Sequence, residues 1–324
     1  MNELIDKKAF FEKYNIENGD FEKTGLKWSD LQKIYSDYLK EVPKLEASAV
    51  YLFNSLMKNS YVHSVRYRIK DAEHVIEKII RKKANNPEQK ISIENYKTVL
   101  TDLIGLRALH LFKEEWLPIH ELVTTTWDLY EQPTVYYREG DSAEYKTKFK
   151  EIGCETKEHP FGYRSVHYIV ETKPAKRTYY AEIQVRTIFE EAWSEIDHKI
   201  RYPYDQENIL FGQFLLILNR LAGSADEMGT FIQFLKKEIQ NKEESYRQAI
   251  LEKDKLIQSL EQKVKEIKLE ESDLRFLNEG LEQLKNFEQH KLPNVSYLER
   301  VKSIERSNLS DFHNFKTIDL LIRN

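Results

Sequence analysis

The chain has 324 residues, 32% of them Asp, Glu, Lys or Arg, and a formal net charge of -4. That length holds one large domain or two smaller ones around a real core, and the near balance of signs excludes a uniformly basic nucleic-acid binder while leaving room for local basic patches. The single cysteine, Cys154, excludes an intramolecular disulfide and any multi-cysteine metal site.

The polar N-terminus lacks the apolar core of a signal peptide, and no uncharged apolar run reaches membrane-spanning length. The expected setting is a reducing cytoplasm with no membrane partner. Residues 1 to about 60 read as helical, with Leu31, Ile34, Tyr35, Tyr38 and Leu39 at helical spacing. Pro43 is expected to interrupt that helix, which resumes over Leu45 to Met57. Ala72, Val75, Ile76, Ile79 and Ile80 mark a second helix over 71–83, stopped by Asn85-Asn86-Pro87. A short helix is expected over 92–100 and a buried strand over Leu103 to Phe112. Helical spacing returns in 115–130. Further strands are read at Thr134 to Arg138, Ser165 to Thr172 and Thr178 to Arg186, the last two joined by a hairpin loop at 173–177. The polar stretch 139–161 carries no clear period and is read as a long loop.

From about 206 onward the pattern is helical. Phe214, Leu215, Leu218, Leu221 and Ala222 are placed to pack on the core. Ile250, Ile257, Leu260, Val264 and Ile267 recur as a coiled-coil seam does. Leu274, Leu277, Leu281 and Leu284 continue it in a phase shifted by three, with Glu270-Glu271-Ser272-Asp273 at the slip. Either the supercoil stammers there or the chain turns back as a helical hairpin. Pro293 ends the segment, and a short helical piece is expected toward Asn324. The expected organisation is an N-terminal helical extension over 1–45, an α+β domain over 46–235 with a mixed sheet flanked by helices, and a coiled-coil-like region over 236–324.

The chemistry gathers in the middle. In Ala181-Glu182-Ile183-Gln184-Val185-Arg186-Thr187, the apolar residues alternate with a carboxylate, an amide and a guanidinium, so a strand here buries one face and offers reactive groups on the other. Asp102 and Glu182 are candidate ligands for magnesium, which takes one or two carboxylates and otherwise keeps water or substrate phosphate. A regular strand would point Asp102 and Arg107 to opposite faces, so one cleft requires a bulge at Gly105 or an Asp102 outside the strand. Arg68, Lys70, Lys78, Arg107 and Arg186 supply charge for polyphosphate. Arg107, flanked by apolar residues, is expected to be part-buried and paired. Gly162-Tyr163 offers close backbone approach and a flat ring for stacking on a base. His167 is a candidate acid or phosphate donor as well as an ordinary strand residue, and Trp193 reads as core. His63, His74, His110 and His120 have no paired ligand spacing, so no zinc site is assigned.

Taken in order, Arg68-Ile69-Lys70 with Glu73 and Lys78, Asp102-Leu103-Ile104-Gly105-Leu106-Arg107, Gly162-Tyr163-Arg164-Ser165-Val166-His167 and Glu182-Ile183-Gln184-Val185-Arg186-Thr187 form one set. The set resembles the synthetase domain of the RelA/SpoT family, the nucleotide pyrophosphokinases that make (p)ppGpp, over roughly residues 46–204. The resemblance implies a nucleotidyltransferase-like fold. It implies that Arg68 and Arg107 sandwich the adenine of ATP, that Lys70 and Lys78 grip its phosphates, and that Asp102 and Glu182 hold magnesium. Glu182 would also deprotonate the acceptor's 3′-hydroxyl, with Arg186 beside it, while Tyr163, Arg164, His167 and Gln184 would bind the acceptor.

Two departures follow from the same resemblance. The family writes P-K-x-N-G-Y where this chain has Glu158-His159-Pro160-Phe161-Gly162-Tyr163, and a phenyl ring cannot hydrogen bond to a base edge as an amide does. No His-Asp hydrolase signature precedes the synthetase region, so no (p)ppGpp hydrolysis is expected. The expected function is a small alarmone synthetase using ATP and GDP or GTP. The alternatives are a toxin-type relative that modifies the 3′ end of tRNA, for which Arg81-Lys82-Lys83 offers a basic cluster, and an inactive binding or assembly protein. The helical C-terminal region is a candidate for homo-oligomerisation or for an autoinhibitory contact.

Overall fold

Alternating apolar and polar residues build the strands, and the computed structural model describes residues 5–139, 141, 143–173, 177–201, 209–266 and 270–286. The strands are β1 (Ser64–Ile69), β2 (Ile104–His110), β3 (Thr134–Tyr137), β4 (Glu155–Glu158), β5 (Ser165–Thr172) and β6 (Tyr179–Thr187). They form one mixed sheet in the order β1-β2-β6-β5-β3-β4. β2 runs parallel to β6 and β3 parallel to β4, while the remaining neighbours are antiparallel. The register sets Arg68 opposite Gly105, Gly105 opposite Glu182, and Gln184 opposite His167. Period-two geometry therefore collects Arg66, Arg68, Arg107, His167, Glu182, Gln184 and Arg186 on one face.

The other face is apolar. Ile104, Leu106, Ala108, Tyr168, Val170, Ala181 and Ile183 are buried beneath helices. The helices are α1 (Lys7–Lys13), α2 (Asn18–Lys23), α3 (Trp28–Met57), α4 (Ala72–Asn85), α5 (Tyr96–Val99) and α6 (Trp116–Thr126). Burying each large aliphatic side chain contributes about 1.5–3 kcal/mol, so this layer holds the sheet flat against α3 and α6. Asp71 caps α4 through the amides of Glu73 and His74. The helix thus starts directly after β1 and points its Lys78 back at the sheet.

α3 passes through Pro43 as one helix, contrary to the expected interruption. Proline removes one backbone donor, but Tyr38, Leu45, Ala49 and Leu52 are fully buried on either side, and that packing outweighs the missing bond. The helix expected over 92–100 is only α5. The stretch 139–161 is not a bare loop: it holds α7 (Ala143–Glu151) and β4, anchored by buried Phe149 and Cys154.

The chain then forms α8 (Ile188–Arg201), α9 (Ile209–Glu266) and α10 (Glu271–Asn286). It divides into two units, Met1–Lys236 and Lys237–Asn324. Within the second, Lys285 Nζ lies 2.6 Å from Glu261 Oε1, and Ile257 and Leu281 are buried. A continuous helix would hold Glu261 and Lys285 several turns apart. The phase slip is therefore a hairpin, with α10 turned back along α9. No helix among the described residues is long and apolar enough to cross a membrane. Residues 174–176 of the expected hairpin loop, Tyr202, Ile267, Pro293 and the tail to Asn324 lie outside the described residues.

Candidate active site

The polar face of β1, β2, β6 and β5 is the floor of the site. Asp102 lies in the turn before β2, outside the ladder, and Gly105 keeps regular register on both sides. Of the two arrangements expected for Asp102, the chain therefore has the one outside the strand, without a bulge. Gly105 has a different use: a Cβ there would sit 3.4 Å from Arg68 Nε, so the missing side chain leaves room for the Arg68 guanidinium across the strand.

Lys70 donates its backbone N–H to Leu103 O at 2.9 Å, and its carbonyl accepts from the Tyr38 hydroxyl at 2.5 Å. This places the Lys70 ammonium 2.9 Å from Asp102 Oδ2, the same oxygen that Lys78 approaches from α4. Burial opposes ionisation of Asp102, but the two ammonium groups outweigh it and lower the carboxyl's pKa. Burial also lowers the Lys70 pKa, with Asp102 opposing. The other oxygen, Oδ1, is buried and accepts no hydrogen bond.

Glu182 lies across from Gly105, close enough to Asp102 for the two charges to repel. Its Oε1 is 3.3 Å from His167 Nδ1 and its Oε2 accepts from Gln184 Nε2 at 2.9 Å. Burial raises its pKa, while His167 and Gln184 bring the net shift down. Two ionised carboxylates, one with an orphaned buried oxygen, form a donor set that suits a hard divalent cation such as magnesium.

Tyr163 Oη lies 3.1 Å from His167 Nε2 and donates to Gln184 Oε1 at 3.4 Å. Glu182, His167, Tyr163 and Gln184 thus close into a ring of polar contacts. The Arg186 guanidinium carbon stands 5.2 Å from the Tyr163 ring centroid, and Tyr136 and His159 pack around the same ring. Burial raises the Tyr163 hydroxyl pKa and lowers that of the His159 imidazole, so both stay neutral near pH 7. His159 and Phe161 stand together at the rim, with Phe161 47% exposed.

The guanidiniums are not equally available. Arg107 is paired with Glu191, 3.1 Å away, and with Glu195, which is a partnered, part-buried state as expected. Arg186 donates to Ser194 Oγ at 3.0 Å and pairs with Glu191. Arg164 departs from its expected place among acceptor contacts. It is buried, with Nε donating to Asp141 Oδ2 at 2.9 Å and Nη1 to Glu190 Oε1 at 3.2 Å. Its charge is spent inside the protein because Ser165, not Arg164, falls on the polar face. Trp193 is core, donating to Leu215 O at 2.9 Å. In the basic cluster, Arg81 lies 3.5 Å from Glu77 and Lys83 donates to Pro87 O.

The sequence reading missed the α8 carboxylates Glu190, Glu191 and Glu195, and also Asp141 and Asn219. The signal for the first group was present: Glu191 and Glu195 stand four apart on a helix whose core side is marked by Trp193. Asn219 interrupts the apolar run Phe214-Leu215-Leu216-Ile217-Leu218, as a buried polar contact would.

Residues 67–207 match the family described as "Region found in RelA / SpoT proteins". The curated GTP pyrophosphokinase YwaC of Bacillus subtilis (strain 168) is 26% identical over 159 residues, covering 48% of this chain and 65% of that protein. The chain therefore spans somewhat less than two thirds of that relative's length. Among solved structures, smu.1046c from Streptococcus mutans UA159 is 24% identical, with a TM-score of 0.42 over 64% of this chain and 96% of that one. A GTP pyrophosphokinase family protein from Streptococcus pneumoniae is 23% identical, with a TM-score of 0.40 over 67% of this chain and 96% of that one.

Proposed function

From the match of residues 67–207 to the region found in RelA / SpoT proteins, we propose that the chain is a nucleotide pyrophosphokinase moving the β,γ-pyrophosphate of ATP to the 3′-hydroxyl of GDP or GTP. The observation that carries the reading is that Asp102, held by Lys70 and Lys78 with its buried Oδ1 accepting no hydrogen bond, lies near enough to Glu182 on the polar face for the two charges to repel.

In this reading the acceptor's 3′-oxygen attacks the β-phosphorus of ATP. A new O–P bond forms, the bond from the β-phosphorus to the bridging α,β-oxygen breaks, and AMP leaves with that oxygen. Glu182 accepts the hydroxyl proton, its carboxylate oriented by His167 and Gln184. Lys70 and Lys78 turn from Asp102 toward the phosphates and neutralise their charge. Arg68 and Arg107 flank the adenine, and binding there requires Arg107 to loosen from Glu191 or Glu195. Magnesium, held by Asp102 and Glu182, would neutralise phosphate charge during transfer. Tyr163 offers its ring to the acceptor base, braced from behind by Arg186. Positioning and charge supply most of the acceleration in such transfers.

A second acceptor is favoured by one observation. The exposed Phe161 ring beside His159 stands where the family has an amide for the guanine edge, and two flat rings accept stacked bases without reading them. The 3′ end of tRNA is the acceptor that this rim would suit. Purified chain with β,γ-labelled ATP, offered GDP, GTP or deacylated tRNA, separates these readings by which acceptor takes label. Label in none of them would leave a binding or assembly protein and end the enzymatic proposal. The cytoplasm, where these nucleotides are made and used, is the proposed location.

A further inference from the structure

We propose that Asn219, on α9 and beyond the matched region, is a positioning residue for the acceptor loop Gly162-Tyr163, an assignment that rests on the pyrophosphokinase reading of Tyr163. Asn219 is 1% exposed, and both ends of its amide are engaged: Nδ2 donates to Gly162 O at 3.0 Å and Oδ1 accepts from Arg138 Nη1 at 3.1 Å. Turning the amide over would set oxygen against carbonyl and NH2 against guanidinium, so its orientation is determined by its partners.

The residue it grips is the hinge of the loop. Gly162 has φ +73, a conformation that side-chain-bearing residues rarely adopt, and a Cβ there would lie 3.1 Å from Arg138 Cγ and 3.3 Å from Asn219 Oδ1. Its N–H donates to His159 O at 2.9 Å, closing the turn. The backbone angles of Gly162 direct the next residue, Tyr163, so holding this carbonyl aims the aromatic ring.

The same stripe of α9 makes the grip firm. One turn on, Gly223 lacks the Cβ that would otherwise stand 2.9 Å from Arg164 Nη1. Asp226 then accepts from Thr187 Oγ1, at the end of β6, at 2.8 Å. Asn219, Gly223 and Asp226 recur at helical spacing on one buried side, so a single helix face is shaped to the loop and to the catalytic strand.

The test uses the full chain with Asn219→Asp, which keeps an acceptor for Arg138 but loses the donor to Gly162. Hydrogen exchange without substrates should become faster at the amides of 159–164 and stay unchanged in α4 and β2. In pyrophosphate transfer, the KM for the acceptor should rise about tenfold, as for one lost buried hydrogen bond, with the KM for ATP unchanged. If Asn219→Asp does not fold, Gly162→Ala strains the same joint from the loop side and should give the same split. Unchanged exchange at 159–164, or equal losses for both substrates, overturns the proposal. If the wild-type chain transfers label to no acceptor, the pyrophosphokinase reading fails instead, and the exchange result alone decides whether Asn219 holds the loop.

Discussion

Asp102 carries two jobs on its two oxygens. Oδ2 gathers Lys70 and Lys78, whose side chains are only 15% and 21% exposed, while Oδ1 is left without a hydrogen bond. Asp102→Asn keeps the shape and removes the charge. Two part-buried ammonium groups then face each other uncompensated, and the loss of stability at pH 7 should be about 2 kcal/mol, below the value for a fully buried pair because water still reaches the lysines. The carboxyl's pKa is lowered in the folded chain, so its contribution is complete above the ordinary carboxylate range and disappears as pH falls through the folded value. Urea unfolding of both chains from pH 7 down to about 2 reads this directly, and a gap between the curves that does not begin to narrow once pH falls below the ordinary carboxylate range would contradict it. Transfer of labelled pyrophosphate should fall by about 100-fold or more in the variant, the scale of one lost electrostatic contact to developing charge.

A second residue-scale outcome concerns Tyr163. Tyr163→Phe keeps the ring for stacking but removes the hydroxyl that meets His167 and Gln184. A ring used for stacking predicts an acceptor KM within about threefold of wild type, whereas Tyr163→Ala should raise it by about tenfold or more, a stacked aromatic being worth about 1–3 kcal/mol. Equal effects of both variants would mean that the hydroxyl, not the ring, binds the acceptor.

At the level of elements, α8 and α9 meet through buried carboxylates. Glu190 faces Arg164, Asp226 and Lys113, and burial raises its pKa to about 7. Asp226, facing Thr187, Lys113, Arg164 and Glu227, is raised to about 6 for the same reason. A raised carboxyl binds its proton in the folded chain where the unfolded chain has already released it. Stability is therefore greatest at the acid end of the window and declines as pH climbs from the ordinary carboxylate range to about 7 for Glu190. Each unit is worth about 1.4 kcal/mol. Glu190→Gln still accepts from Arg164 but cannot ionise, so thermal midpoints measured between pH 4.5 and 8 should fall less steeply than for wild type. Parallel curves would show that the group does not titrate in that window.

Elements also show how far the sequence could be read. Strand β6 was legible because burial on one face imposes alternation, and Ala181, Ile183 and Val185 obey it, whereas β2 was legible as a mostly apolar run of strand length. β4 and α7 were not, since among their described side chains only Phe149 is buried, with Cys154 buried just before β4. Pro43 misled because a local rule about one missing donor was set against the packing of a long buried face. In the site, the cation-rich motifs were visible, but which cations remain available depends on carboxylates from distant segments. Arg164 is satisfied by Asp141 and Glu190, and no spacing within Gly162-Tyr163-Arg164 reveals them.

For the whole molecule, the division after Lys236 falls inside α9, past Asn219, Gly223 and Asp226. Every contact that the proposed chemistry uses, from Arg68 to Asp226, therefore belongs to the first unit. The second carries its own packing, with Ile257 and Leu281 buried and Leu256, Phe276 and Leu284 exposed. A chain ending at Lys236 should bind ATP and transfer label at a rate within about threefold of the full chain, because none of the gripping residues is removed. A chain ending before Asn219 should lose acceptor binding first. The exposed leucines and Phe276 make the hairpin the place where copies of the chain would associate if they do. Sedimentation of the full and shortened chains should then show any assembly disappearing with residues 237–324. If instead the chain ending at Lys236 keeps the full chain's assembly state, association belongs to the first unit; if its activity rises well above that of the full chain, the helical hairpin acts as an inhibitor.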